Sequence, residues 1–148
     1  MSLRNALNEG TVAIGLDADT KEEAIDGLLG ILAAAGKLKD TEAARRAVLE
    51  RERQMSTGMK NGIAIPHGKT DSVDSLVACV AVTRKPIDFD SLDGKGCTIF
   101  IMTLSPPGKT GPHLQFLAEV SQLFKSEDKR NAIANASSPR ELLSILIS

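Results

Sequence analysis

Two histidines are the whole imidazole supply of this 148-residue chain, and both stand among glycines and prolines. His67 lies in Gly62-Ile63-Ala64-Ile65-Pro66-His67-Gly68-Lys69, and His113 follows Gly111-Pro112. A neutral imidazole is nucleophilic near pH 7, with an ordinary pKa of ~6.5. It can accept a phosphoryl group and release it again, because the P–N bond it forms is labile. Pro66 fixes φ ahead of His67, and Gly68 lets the backbone leave with no Cβ in the way, so the spacing predicts a ring mounted on a stiff turn. A histidine in a surface turn can equally be a plain polar loop residue, and position alone does not separate the two readings. His113 has its own plain reading, as the opening residue of a helix whose ring packs on the preceding loop.

Other chemistries find less support. Gly68-Lys69-Thr70 and Gly108-Lys109-Thr110 invite a phosphate-loop reading, but that motif needs glycine five positions earlier. Ile63 and Thr103 occupy those positions, so both matches fail. Gly94-Lys95-Gly96 lacks the third glycine of a dinucleotide fingerprint. The histidines have no HxxxH, HExxH or cysteine partner, which argues against a metal site. Cys79 and Cys97 sit inside apolar runs and form no CxxC pair, so buried thiols of a reducing compartment are expected. Asp88, Asp90 and Asp93 read as solvated turn and strand-edge charge rather than paired catalytic carboxylates.

The elements that must hold His67 and His113 follow from the apolar rhythm. Val12–Leu16 suits a first strand. Ile25, Leu28, Leu29, Leu32 and Ala35 follow helical spacing, with Asp19 or Thr20 as cap and Gly36 as stop. Asp40 can cap a second helix whose stripe is Ala43, Ala44, Ala47 and Val48; one more turn arrives at Arg51. Ser56–Gly62 is turn-rich, and Ile63–Ile65 is a short extended run ending at Pro66. Leu76–Val82 and Ile99–Leu104 are continuous apolar strands, separated by expected turns at Lys85-Pro86 and Asp93-Gly94. Ser105–Pro112 is expected to be irregular. The helix that follows is expected to bury Leu114, Leu117, Ala118, Ser121 and Phe124. A short helix over 126–133 and a last one capped by Ser138 complete the chain. The pattern predicts an α/β fold in one domain, residues 1–148, with strand order unreadable.

Composition agrees with that class. Hydrophobic residues make up 42% and charged residues 25%, ordinary values for a globular protein. Basic and acidic residues nearly balance at 18 against 19, and there is no Trp or Tyr. Neither a positive field nor stacking rings are on offer, which argues against a nucleic-acid partner. The start MSLRNALNEG has no apolar signal core, and no run is long enough to span a bilayer, so a cytoplasmic location is expected.

The stretch LERERQMSTGMKNGIAIPHGK, residues 49–69, resembles the phosphorylation-site signature of IIA domains of the fructose/mannitol type of bacterial sugar phosphotransferase systems. Nitrogen-related regulatory IIA proteins belong to the same family. IDFDSLDGK and the histidine-opened PHLQFLAEVSQLF resemble it too, and the likeness runs from the KEEAI helix to the final RELLSIL. It implies a mixed sheet flanked by helices on both sides, with His67 as phosphoryl acceptor and His113 as the histidine beside it. Arg51 would be the site arginine, although Arg53 stands two residues away and only the register to STG favours Arg51. No cofactor or metal is implied. The implied donor is the phosphocarrier HPr and the implied recipient a IIB domain or protein, with membrane contact only indirect, through a IIC component. The alternative is a regulatory protein whose His67 phosphorylation state controls binding to other proteins. SPPGKTGP, beside His113, is richer in Pro and Gly than the family loop.

Overall fold

The computed structural model describes residues 3–148. The chain begins with α1 (Leu3–Ala6), a 3-10 turn (Glu9–Thr11) and β1 (Val12–Ile14). Two 14-residue helices follow, α2 (Lys21–Ala34) and α3 (Thr41–Gln54). Then come β2 (Ile63–Ala64), β3 (His67–Lys69), β4 (Val77–Ile87) and β5 (Cys97–Ser105). Helices α4 (Thr110–Leu123), α5 (Glu127–Ala134) and α6 (Pro139–Ile147) close the chain.

The sheet is mixed. β4 and β5 pair antiparallel at its centre, β1 runs parallel to β4, and both β2 and β3 run parallel to β5 on the other side. Successive strand residues point to opposite faces, and here both faces are apolar. Ala78, Val80, Val82, Ile99 and Ile101 pack with Phe116, Val120, Ile133, Leu142 and Leu146 of α4, α5 and α6. Cys79, Ala81, Phe100, Met102 and Leu104 pack with Ile25, Leu28, Leu32, Ala44 and Val48 of α2 and α3. This is the expected mixed sheet with helices on both sides, and it explains why the strands read as continuous apolar runs.

Local signals set the helix ends. Side chains of Thr20, Asp40, Ser126 and Ser138 accept hydrogen bonds from the backbone N–H three residues on, each satisfying an otherwise unpaired donor. Gly36 takes a left-handed φ of 72° just past α2, a conformation that costs glycine nothing.

Three expectations need correction. Lys85-Pro86 is no turn: β4 continues through it, and the pairing with β5 slips between Val82 and Ile87. A proline has no N–H for the ladder, and such an irregularity is where a strand tolerates it. Thr110, Gly111 and Pro112 form the first turn of α4 rather than loop; first-turn N–H groups lack helical acceptors, so proline costs little there. Phe124, just past α4, is buried as expected, but the buried stripe of the helix itself is His113, Phe116, Val120 and Leu123, and Leu114 stays 63% exposed. Leu117 sits at the margin, so an apolar count admitted both phases, and only the packing partners decide between them.

Candidate functional site

β2 and β3 are two pieces of one edge strand. Ile63 lies opposite Ile99 and His67 opposite Thr103, the same 36-residue offset, so the break at Ile65-Pro66 causes no register slip. Pro66 interrupts the ladder but still accepts a hydrogen bond from Thr103 N–H at 3.2 Å. His67 therefore starts a strand instead of sitting in a turn. Gly68 serves a purpose other than the sharp exit expected of it. A Cβ there would lie 3.1 Å from Val48 N and 3.2 Å from the Ala47 carbonyl carbon, so its bareness lets α3 close against β3.

Alternation decides which way the ring points. Ile63 and Ile65 face the α4 layer and Ala64 the α3 layer, which puts His67 on the α4 side. There its ring meets that of His113, with centroids 5.1 Å apart and planes tilted by 41°. His67 Nδ1 lies 2.9 Å from the carbonyl oxygen of Ile65. A carbonyl only accepts, so Nδ1 carries the proton, and neutral His67 presents its lone pair at Nε2.

Both rings are biased toward neutrality. Burial lowers the His67 pKa below its usual value; Arg51 and Lys69 push the same way, while the Ile65 hydrogen bond and Glu52 oppose them. His113 is buried and drops further, to about 4, through burial first and then the fields of His67 and Lys69. Its Nδ1 is buried with no hydrogen-bond partner among the described residues.

The two arginines separate cleanly. Arg51, on the last turn of α3, donates to the Met55 carbonyl at 2.7 Å and acts on the His67 ring through its charge. Arg53 is 72% exposed and paired with Glu50. His67, His113 and Arg51 thus come together, and Arg53 does not.

Glu52, between the arginines, was missed by sequence reasoning. It is the one buried carboxylate among the described residues. Its oxygens accept from Thr57 N–H at 2.9 Å, Thr57 Oγ1–H at 2.5 Å and Lys21 Nζ at 2.9 Å. A signal existed: Ala44 and Val48 are buried four residues apart, and the next step of four is Glu52. Lys69, two residues beyond His67 on the same strand face, was also not singled out, yet its charge acts on both rings. No three metal-ligating side chains gather among the described residues.

The most exposed large apolar side chains of the described residues are Met55, Met59, Leu92 and Leu114. Met59 and Leu92 line one cleft with Ile63 and Ile65, and Met55 and Leu114 are near site residues in sequence. Met55 follows Arg51 by four residues, Met59 sits before β2, Leu114 adjoins His113, and Leu92 N–H donates to the Gly58 carbonyl at 3.2 Å.

Two imidazoles biased toward neutrality thus lie together within the field of a guanidinium and an ammonium, an arrangement chemically able to receive an anionic group. The match to known proteins agrees. Residues 5–148 match the family model described as "Phosphoenolpyruvate-dependent sugar phosphotransferase system, EIIA 2", and the chain belongs to that family of phosphotransferase components. It is 39% identical over 127 residues to the fructose-specific EIIA component of Haloferax volcanii, covering 86% of this chain and 82% of that protein. It is 34% identical over 146 residues to the fructose-specific EIIABC component of Bacillus subtilis, covering 99% of this chain but only 23% of that protein. Among solved structures, the nitrogen regulatory protein IIA-Ntr of Neisseria meningitidis superposes with a TM-score of 0.89 at 26% identity, covering 97% of this chain and 98% of that one.

Proposed function

We propose that this chain, acting over residues 1–148 as one IIA domain of the cytoplasm, accepts a phosphoryl group on Nε2 of His67 from phospho-HPr and passes it to a IIB component. The observation that carries the reading is the Nδ1–H bond to the Ile65 carbonyl, which leaves Nε2 as the free nucleophile beside His113. In the transfer, the Nε2 lone pair attacks phosphorus while the P–N bond to the donor imidazole breaks. The phosphorylated ring keeps its Nδ1 proton, and the Ile65 carbonyl supports the positive charge that gathers on it. No proton has to move in this half-reaction.

Charge stabilisation is the remaining task, and here it falls to groups already in place. Arg51 offers a planar fork suited to phosphoryl oxygens. His113 is neutral at pH 7, so one of its nitrogens holds a proton. An unpaired buried N–H is rarer than an unpaired buried acceptor, which favours the proton on Nε2 and leaves Nδ1 as the orphan. His113 then serves as a hydrogen-bond donor to the phosphoryl group without adding a competing base. The exposed apolar side chains around the site suit brief docking of a protein donor and acceptor.

The fructose-specific relatives favour transport. Their names join EIIA with B and C parts in one case, which supports a IIB recipient and membrane contact only through a IIC component. The likeness to IIA-Ntr favours a second reading, regulation through the phosphorylation state of the same His67. The test is intact mass after incubation with phosphoenolpyruvate, enzyme I and HPr. Wild type should gain one acid-labile phosphate and His67→Ala none; labelling of the variant contradicts the assignment. Adding a IIB protein should discharge the label if transport is the role, and leave it in place if regulation is.

A further inference from the structure

Glu52 is a buried carboxylate that the phosphoryl-transfer scheme does not use. From the hydrogen bonds that lead away from it, we infer that Glu52 is a positioning residue that sets which nitrogen of His67 reacts. The inference rests on His67 as acceptor and deepens that reading.

The connection can be followed bond by bond. Both Glu52 oxygens clamp Thr57, one taking its hydroxyl at 2.5 Å and the other its N–H at 2.9 Å. Thr57 in turn accepts Ile65 N–H at 3.0 Å on its carbonyl. Ile65 presents its own carbonyl to His67 Nδ1 at 2.9 Å. Next to this path, Met59 N–H donates to the Ile63 carbonyl at 2.7 Å, and Gly58 bridges Ala64, so the 57–59 segment lies against the edge strand. On its other side the segment is pressed against residues 89–91, which Gly58 allows: a Cβ there would meet Ser91 Oγ at 2.7 Å and the Phe89 carbonyl at 2.8 Å.

The successive bonds belong to different peptide groups, so the path conveys position and not charge. What it fixes matters for chemistry. Pro66 removes one ladder hydrogen bond just before His67, so the edge strand is weakly held where it must aim the Ile65 carbonyl. Thr57, locked to the end of α3 by Glu52, replaces that hold. If the Ile65 carbonyl drifts, Nδ1 loses its acceptor and the ring can protonate at Nε2 instead. The nucleophilic nitrogen would then be capped. A buried charge held by three donors is costly to assemble, and Lys21, itself bridged to Asp90 and stacked on Phe89, offsets it.

The experiment measures ring-nitrogen chemical shifts of His67 in 15N-labelled Glu52→Gln, together with transfer from phospho-HPr. A glutamine is neutral: its oxygen can keep Thr57 N–H, but its amide N–H must then donate to Thr57 Oγ1, so two charge-assisted bonds are exchanged for weaker neutral ones and the clamp loosens. The Nε2–H tautomer should become populated, and transfer should slow by roughly tenfold or more, the scale for losing an outer partner of a reacting group. Lys21→Met is the control: it should lower Tm while leaving the tautomer as in wild type. A folded Glu52→Gln protein with wild-type tautomer and rate overturns the inference. So does Lys21→Met shifting the tautomer equally, because the effect would then be general loosening. If Glu52→Gln does not fold, Thr57→Val decides, since it removes only the hydroxyl bond: a tautomer shift supports the role of the clamp and an unchanged ring refutes it. The ring shifts are read without phosphate, so a wild type that takes no label refutes the acceptor assignment while the tautomer still tests Glu52.

Discussion

At the scale of single residues, the site works by keeping imidazoles neutral and aimed. The lowered His67 pKa has a definite sign: the reacting form is the unprotonated one, so the ring stays competent below its usual titration near ~6.5. Single-turnover acceptance from phospho-HPr should therefore hold its rate from pH 7.5 to about 6.5 and fall only at lower pH. A midpoint above that value contradicts the burial account. Arg51→Ala should slow the same step by ~10²-fold, the scale of removing one preorganised charge donor. An unchanged rate would mean that the charge of Arg51, which reaches the ring in the folded chain, does nothing for the transferring group. These roles were only partly legible. His67 and His113 stood out by scarcity and neighbours, and Arg51 by its register to STG. The choice between Arg51 and Arg53 needed the fold, because their difference is one of facing and exposure. Glu52 stayed hidden because a charged residue in an ERER run looks like solvated surface until its helix phase is traced to Val48.

Elements carry these residues to each other, and their boundaries decide the outcome. The Pro-His-Gly segment read as a turn, since glycine and proline punctuate loops far more often than they sit in strands. Its pairing partner, β5, is 36 residues on, and nothing local announces that a strand resumes in register after Pro66. Gly68 is the element-scale requirement. Alanine there would place a methyl 3.1 Å from Val48 N, against backbone that cannot rotate away. Gly68→Ala should cost about 1–3 kcal/mol, the range for overpacking, read as a lower urea midpoint at unchanged slope. Unaltered stability would show that α3 can shift off β3 freely. The helix caps, in contrast, were readable at Asp40 and Ser138, and to within one residue at Asp19 or Thr20, where the structure uses Thr20, because a cap is a contact within four residues. For α4 the helix was legible but its face was not: Leu114 and Phe116 are equally apolar, and only the packing against β5 and α1 chooses.

For the whole molecule, unbroken strand runs made an α/β fold with buried strands foreseeable, and the helix layers on both faces followed from the family resemblance, while strand order was unreadable, since it depends on pairings far apart in sequence. The assembly brings the end of α3 and the start of α4 to the same sheet edge, which is how residues 51, 67 and 113 meet. Burying two histidines has a global consequence. Their folded pKa values lie below the unfolded ones, to about 4 for His113, so the unfolded chain binds more protons in that interval. Stability from this source is complete above ~6.5 and is lost as pH falls toward about 4. Thermal unfolding of wild type and His113→Gln between pH 7.5 and pH 4.5 should show the variant losing less Tm on acidification. Parallel curves would remove His113 as a source of acid sensitivity.

The most direct measurement is 31P and 15N NMR of the phosphorylated, 15N-histidine-labelled protein. A phosphorus–nitrogen coupling to Nε2 of His67, with Nδ1 still protonated against Ile65, is the predicted result. Phosphate on Nδ1 of His67, or on His113, would contradict the account.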